Sequence, residues 1–292
     1  MKKVELGFDN DVSDLKKFKE ELYAKIVNSV YYNDFLAQGF TDEDIKNNLS
    51  KFNDYIEDLE ISKKIKTYKD CRLFNKFDRI ILEKNGNFVD VNYVALEPFS
   101  AYLNYINCFF IRDFDDDYVD AEYLKIDEKL REYNKKAFKA NDWVYFYGAL
   151  RSGRTYAAIS IINKKYIGKE NSIAFLNSPK RLKELCDLYF KSRQDYEDLM
   201  KTYTEVDCLV FDDFGQELKS KLLRDTILYV ILSKRAATNK MTIFTSDFTV
   251  DEICKLYTKL KDDTNDVMSN KFTKLFKEKV KNGRETSPLS IY

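Results

Sequence analysis

The sequence predicts an α/β protein: a C-terminal domain with a parallel sheet and a phosphate-binding loop, preceded by a small helical-plus-hairpin N-terminal domain. Three observations carry this. Four short apolar runs, Trp143 to Tyr147, Ile173 to Leu176, Cys208 to Phe211 and Thr242 to Phe244, recur at roughly 30 to 35 residues with helix-length segments between them, the pattern of βαβ units. The first run leads directly into a glycine-framed loop, Gly148 to Thr155. Before residue 110 the pattern is different, with helical periodicity followed by a single hairpin signal.

The elements follow in chain order. Between Asp14 and Val30, the residues Leu15, Phe18, Leu22, Ile26 and Val30 recur at intervals of three and four, one face of a helix. Thr41 with Asp44 three residues on resembles a capping box with Asp in place of Glu, and Ile45, Leu49, Phe52, Ile56 and Leu59 predict one helix running to about residue 64. Ile80-Ile81-Leu82, an Asn85-Gly86 pair suited to a type I′ turn, and the run Phe88 to Val94 predict a β-hairpin. Residues 1–110 are thus expected to form a module of their own. Asp113 to Glu122 places six carboxylates in ten residues but lacks the glycine and terminal glutamate of a calcium loop, which predicts a solvated acidic linker over 111–122. The C-terminal domain is expected to span 123–292.

Composition narrows the chemistry. The chain has no histidine, which removes Ser-His-Asp and Cys-His catalysis, His-ligated zinc or haem, and an imidazole base. Its 49 Lys+Arg balance 49 Asp+Glu, so any nucleic-acid contact must come from a local basic face. The five cysteines, at 71, 108, 186, 208 and 254, contain no C-x-x-C pair, and their odd number argues against a closed disulfide framework. There is no apolar signal core after Met1 and no run of 18 uncharged apolar residues, so the expectation is a soluble, cytoplasmic protein with no membrane partner. Only eight glycines are present, which makes each of them informative.

The loop is where chemistry is expected. In G-x-x-x-x-G-K-[ST], the glycines let backbone N–H groups wrap phosphates at a helix N-terminus, the lysine reaches the β and γ phosphates, and the hydroxyl holds Mg²⁺. Here Gly148, Ser152, Gly153, Thr155 and the following Tyr156 stand in that pattern, but Arg154 replaces the lysine. A planar guanidinium does not act as a point charge between two phosphates, and Arg151 adds a side chain beside the cradle. Cys208 to Phe211 then delivers Asp212-Asp213 to a strand end, the edge of an open α/β sheet where ligands bind. Asp212 is the candidate Mg²⁺ ligand together with Thr155, and Asp213 the candidate catalytic base that would orient an attacking water. Thr242 to Asp247 is a further strand ending in polar residues, where a γ-phosphate sensor would sit.

These residues resemble the bacterial replicative-helicase loaders of the DnaC/DnaI type, AAA+ proteins related to transposon helper ATPases. The resemblance is carried by Tyr145 to Gly148 and the loop to Thr155, by Leu209 to Gly215, by Leu223-Arg224-Asp225 with Val230-Ile231-Leu232, and by Phe244 to Phe248. In the N-terminal half, Asn33 to Leu36, Asn53 to Glu57, Tyr68 to Cys71 and Asn85-Gly86 with Val89 to Tyr93 resemble the DnaI branch. That branch carries zinc, of whose ligands only Cys71 remains here, so zinc is expected to be absent. The resemblance implies ATP or ADP with Mg²⁺ as cofactor and Asp247 at the sensor position, where the family has asparagine. It also implies an arginine finger, yet after residue 235 the only arginine is Arg284. Arg151, Arg154, Asp247 and the missing late arginine depart together, which predicts weakened or lost hydrolysis.

The stretch from Lys271 to Arg284 carries Lys271, Lys274, Lys277, Lys279, Lys281 and Arg284 against the single acid Glu278, with Phe272, Leu275, Phe276 and Val280 as an apolar stripe. A basic amphipathic helix is predicted, with Lys271, Lys274, Lys277, Lys281 and Arg284 as the candidate contacts to single-stranded DNA. The resemblance implies docking of the N-terminal module on the replicative DNA helicase hexamer; a homo-oligomer is a further candidate, with the oligomeric state left open. Three alternatives stay open at this stage: an active Mg-ATPase loader, a nucleotide-independent scaffold bridging replication proteins, and a transposition helper ATPase.

Overall fold

In a computed structural model, the structure describes residues 9–260 and 266–287. The chain forms two compact units, residues 1–104 and 105–292. No helix among the described residues is long and apolar enough to cross a membrane.

The first unit packs the helices Asp9–Val27, Tyr32–Ala37, Asp42–Asn47 and Leu49–Ser62 against a hairpin of β1 (Asp78–Asn85) and β2 (Phe88–Ala95). Its core joins Ile26, Phe35, Phe40, Ile45, Phe52 and Ile56 to Leu82 and Val89 of the hairpin. The expected capping box is present: Thr41 Oγ1 accepts from the Asp44 amide at 3.2 Å, and the Asp44 carboxylate accepts from the Thr41 amide at 2.7 Å. The single helix expected to follow it is two helices, because Asn48 (φ −131°) leaves the helical region and its side chain donates back to the Asp44 carbonyl at 2.9 Å. The first helix stops at Val27, and Val30 is exposed. In the hairpin, Asn85 pairs with Phe88, so Gly86 and Asn87 form the loop. Gly86 has φ +61° while Asn87 is not left-handed, the φ pattern of a type II′ turn rather than the expected I′.

The second unit is a parallel six-stranded sheet: β3 (Phe109–Arg112), β4 (Val144–Tyr147), β5 (Ile173–Asn177), β6 (Cys208–Asp212), β7 (Met241–Ser246) and β8 (Arg284–Glu285), in the order β3-β5-β6-β7-β4-β8. Side chains alternate between two apolar layers, as the period of two requires. Trp143, Tyr145, Leu176, Phe211 and Phe244 face one layer with the helices Ser178–Lys191, Arg193–Glu205, Val250–Thr258 and Asp266–Val280. Val144, Phe146, Phe175, Val210 and Ile243 face the other, with the helices Glu128–Ala140 and Arg154–Lys165.

Two expectations are corrected here. The boundary lies at Asn104/Tyr105 rather than at 110, because Phe109–Arg112 is an edge strand paired with β5. The segment 111–122 is not a free linker. The Asp113 side chain is 7% exposed and receives a two-pronged ion pair from Arg181, with both N–O distances at 2.7 Å. Asn163 donates to the carbonyls of Val119 and Ala121 at 2.9 Å each. The acidic run packs because it carries partners for its charges, a feature that composition does not display.

Candidate functional site

Strand β7 lies between β4 and β6. That order brings the loop after β4, the Asp212-Asp213 pair at the end of β6 and Asp247 after β7 to one edge of the sheet. The tight loop needs glycine at its first position: a Cβ on Gly148 would lie 2.5 Å from the Thr286 carbonyl oxygen and 2.9 Å from Ser152 Oγ. Gly153 takes φ +84° and opens the helix Arg154–Lys165, so the loop ends on a helix N-terminus.

Arg154 is buried, at 5% exposure. One guanidinium nitrogen donates to the Gly148 carbonyl and to the Asp247 carboxylate, and the other lies 3.5 Å from Asp213 Oδ1. The second Asp247 oxygen accepts from the Gln216 side chain. Thr155 Oγ1 donates to Asp212 Oδ1 at 2.9 Å, and Thr245 Oγ1 donates to the same oxygen at 2.5 Å. Thr245 Oγ1 in turn accepts from the Asp213 amide at 3.0 Å, holding Asp213 in a left-handed conformation (φ +56°). Burial pushes the Asp212 carboxyl up to about 6, the charge on Asp213 adds to this, and the hydrogen bonds from Thr245 and Thr155 oppose it. Burial raises Asp213 as well, against the pull of Arg154.

The site therefore assembles Gly148, Ser152, Gly153, Arg154, Thr155, Asp212, Asp213 and Asp247. Tyr156 is engaged elsewhere, its hydroxyl accepting from the Glu122 amide at 3.0 Å. Three contributors went unforeseen. Thr245 and Gln216 orient the carboxylates, and Thr286 seals the loop, with its hydroxyl 2.7 Å from Ser152 Oγ and its amide donating to the Tyr147 carbonyl at 2.7 Å. The alternation along β7 could have pointed to Thr245; nothing local points to Thr286.

The adjacent Thr155 hydroxyl and Asp212 carboxylate are oxygen donors of the kind Mg²⁺ takes. No group of three or more metal-ligating side chains occurs among the described residues. A nucleoside triphosphate does not fit this arrangement. The cation that should meet its phosphates is already held by two carboxylates and a carbonyl.

The basic stretch is only partly a helix face. The helix ends at Val280, with Phe272, Phe276 and Val280 buried. Lys277 pairs with Asp251, Lys281 lies 3.6 Å from Asp142 in a left-handed turn, and Arg284 sits in β8 beside Phe146. Lys281 and Arg284 therefore lie beyond the helix and do not extend its face, contrary to the expectation, while Lys277 stays on the helix, exposed and paired with Asp251. Lys271 and Lys274 are exposed on the helix.

A family model for the bacterial DnaA ATPase domain matches residues 128–271. The replicative helicase loader DnaI of Bacillus subtilis (strain 168) is 26% identical over 133 residues, which cover 46% of this chain and 41% of the relative. The match thus spans less than half of that protein's length. Among solved structures, a crystal structure of DnaI is similar with a TM-score of 0.50 and 19% identity, covering 62% of this chain and 98% of that one. A crystal structure of the DnaC helicase loader is similar with a TM-score of 0.45 and 18% identity, covering 59% of this chain and 98% of that one.

Proposed function

We propose that this chain, an AAA+ protein of the DnaI/DnaC type, docks on the hexameric replicative DNA helicase through its first unit. Its second unit then assists placement of the helicase on single-stranded DNA, without productive ATP hydrolysis. The relative's name supports the loader class, since the protein of which this chain matches a part is a replicative helicase loader. The observation that carries the loss of hydrolysis is the environment of Arg154. A phosphoryl-transfer site must aim its cations at charge that develops on the phosphate, and this one is aimed at Asp213 and Asp247. Exposed Lys271 and Lys274 supply the part of the basic stretch available to a phosphate backbone.

The test is capture of the cognate replicative helicase by the tagged full-length chain, with and without ATP. The expected outcome is retention of the hexamer to the same extent in both. No retention in either condition overturns the loader reading, and retention only with ATP overturns its nucleotide independence. A scaffold that bridges replication proteins would also retain the helicase, but would not raise helicase occupancy on single-stranded DNA.

A further inference from the structure

We infer that Arg154 is an internal latch: its guanidinium, shared by Asp213, Asp247 and the Gly148 carbonyl, closes the phosphate loop and keeps the second unit in a state that excludes nucleoside triphosphate. The two residues that depart from the loader pattern here, arginine for lysine and aspartate for asparagine, explain each other. An aspartate at 247 without a cation that reaches it would place uncompensated charge beside Asp213. An arginine alone at 154 would bury a guanidinium with the Gly148 carbonyl and only one acidic partner, 3.5 Å away. Together they neutralise each other. A guanidinium suits this role where an ammonium does not, because its planar fork reaches two acids and a carbonyl at once.

The latch is held from both sides. Gln216 fixes the second oxygen of Asp247, and Thr286 fixes the loop through Ser152 and the Tyr147 carbonyl. An incoming triphosphate would have to break the guanidinium away from both carboxylates, and would then face Asp212, Asp213 and Asp247 with no second buried cation in the loop among the described residues. The inference rests on the loader-type reading of the second unit, and the two fail separately: helicase capture tests the reading, and nucleotide titration tests the latch.

The experiment is titration of full-length protein with a fluorescent ATP analogue and Mg²⁺, using wild type, Asp247→Asn and Arg154→Lys/Asp247→Asn. Wild type is expected to show no saturation below about 1 mM, and the double variant to bind at least tenfold more tightly. Wild-type saturation at lower concentration, or a folded double variant that binds no better than wild type, overturns the latch. Should the double variant fail to fold, Asp247→Asn decides, since it frees one arm of Arg154 at a partly exposed position. Tighter binding than wild type then supports the latch, and equal binding overturns it. ATP with Mg²⁺ is also expected to leave the thermal midpoint of wild type unchanged, and a rise overturns the proposal.

Discussion

At the scale of the residue, Asp212 carries a cost built into the site. Its carboxyl titrates near 6 in the folded chain against an ordinary value of 3.8. Well below pH 3.8 it is protonated in both states and costs nothing. As pH rises toward 6 the unfolded chain gives up its proton first, so stability falls through that window, and above 6 the loss is complete. Asp212→Asn keeps an oxygen that can accept from Thr155 and Thr245 while removing the charge. The variant should gain about 2 to 3 kcal/mol over wild type at pH 7.5 and little at pH 4, measured by urea unfolding at both pH values. An equal gain at the two pH values would sink this account. Thr155, Asp212, Asp213 and the glycines were legible from spacing alone. The direction of Arg154 was not, because the sequence shows a guanidinium and two carboxylates far apart in the chain, and only the strand order makes them neighbours.

At the scale of the element, the segment Leu222–Leu228 is a π-helical stretch leading into Tyr229–Ala237. Arg224 in it is fully buried and fastens three elements. It pairs with Asp225 at 2.5 Å, donates to the Tyr257 carbonyl at 2.9 Å, and donates to Ser269 Oγ at 2.6 Å. The helices Val250–Thr258 and Asp266–Val280 are therefore held by one side chain whose charge must stay paired. Arg224→Ala should cost about 3 to 5 kcal/mol, since it empties a fully buried site and removes the donor to the Tyr257 carbonyl, while Ser269→Ala should cost about 1 kcal/mol. Denaturant unfolding of both variants checks the ranking, and equal costs would contradict it. The Arg-Asp pair was visible in the sequence as part of a resemblance, but its role as a fastener was not, since both its distant partners lie more than 30 residues downstream. The capping box at Thr41 shows the reverse case: a local signal that reads correctly because all its partners are local. The helix break at Asn48 was missed because an apolar stripe continues across it, and stripe periodicity does not register a local change of backbone.

At the scale of the whole molecule, each unit has its own core, built from residues that do not cross the boundary. The only tryptophan, Trp143, lies buried in the second unit. Tryptophan fluorescence therefore reports the second unit, while far-ultraviolet circular dichroism reports both. The two signals should give non-coincident urea transitions, and coincident ones would show that the units unfold as one.

The sequence by itself determined the class of the fold, the four central strands, the position of the phosphate loop and the two acids at a strand end. Hydrophobic period and glycine placement are local properties and survive without the fold. The tertiary structure decided what occupies the loop. Whether a buried cation meets a phosphate or a carboxylate depends on which strand ends are neighbours, and β7 between β4 and β6 sets Asp247 where Arg154 can reach it. The same holds for β8 and Thr286, two short pieces with no pattern of their own, which are placed by backbone pairing with β4 and the Tyr147 carbonyl.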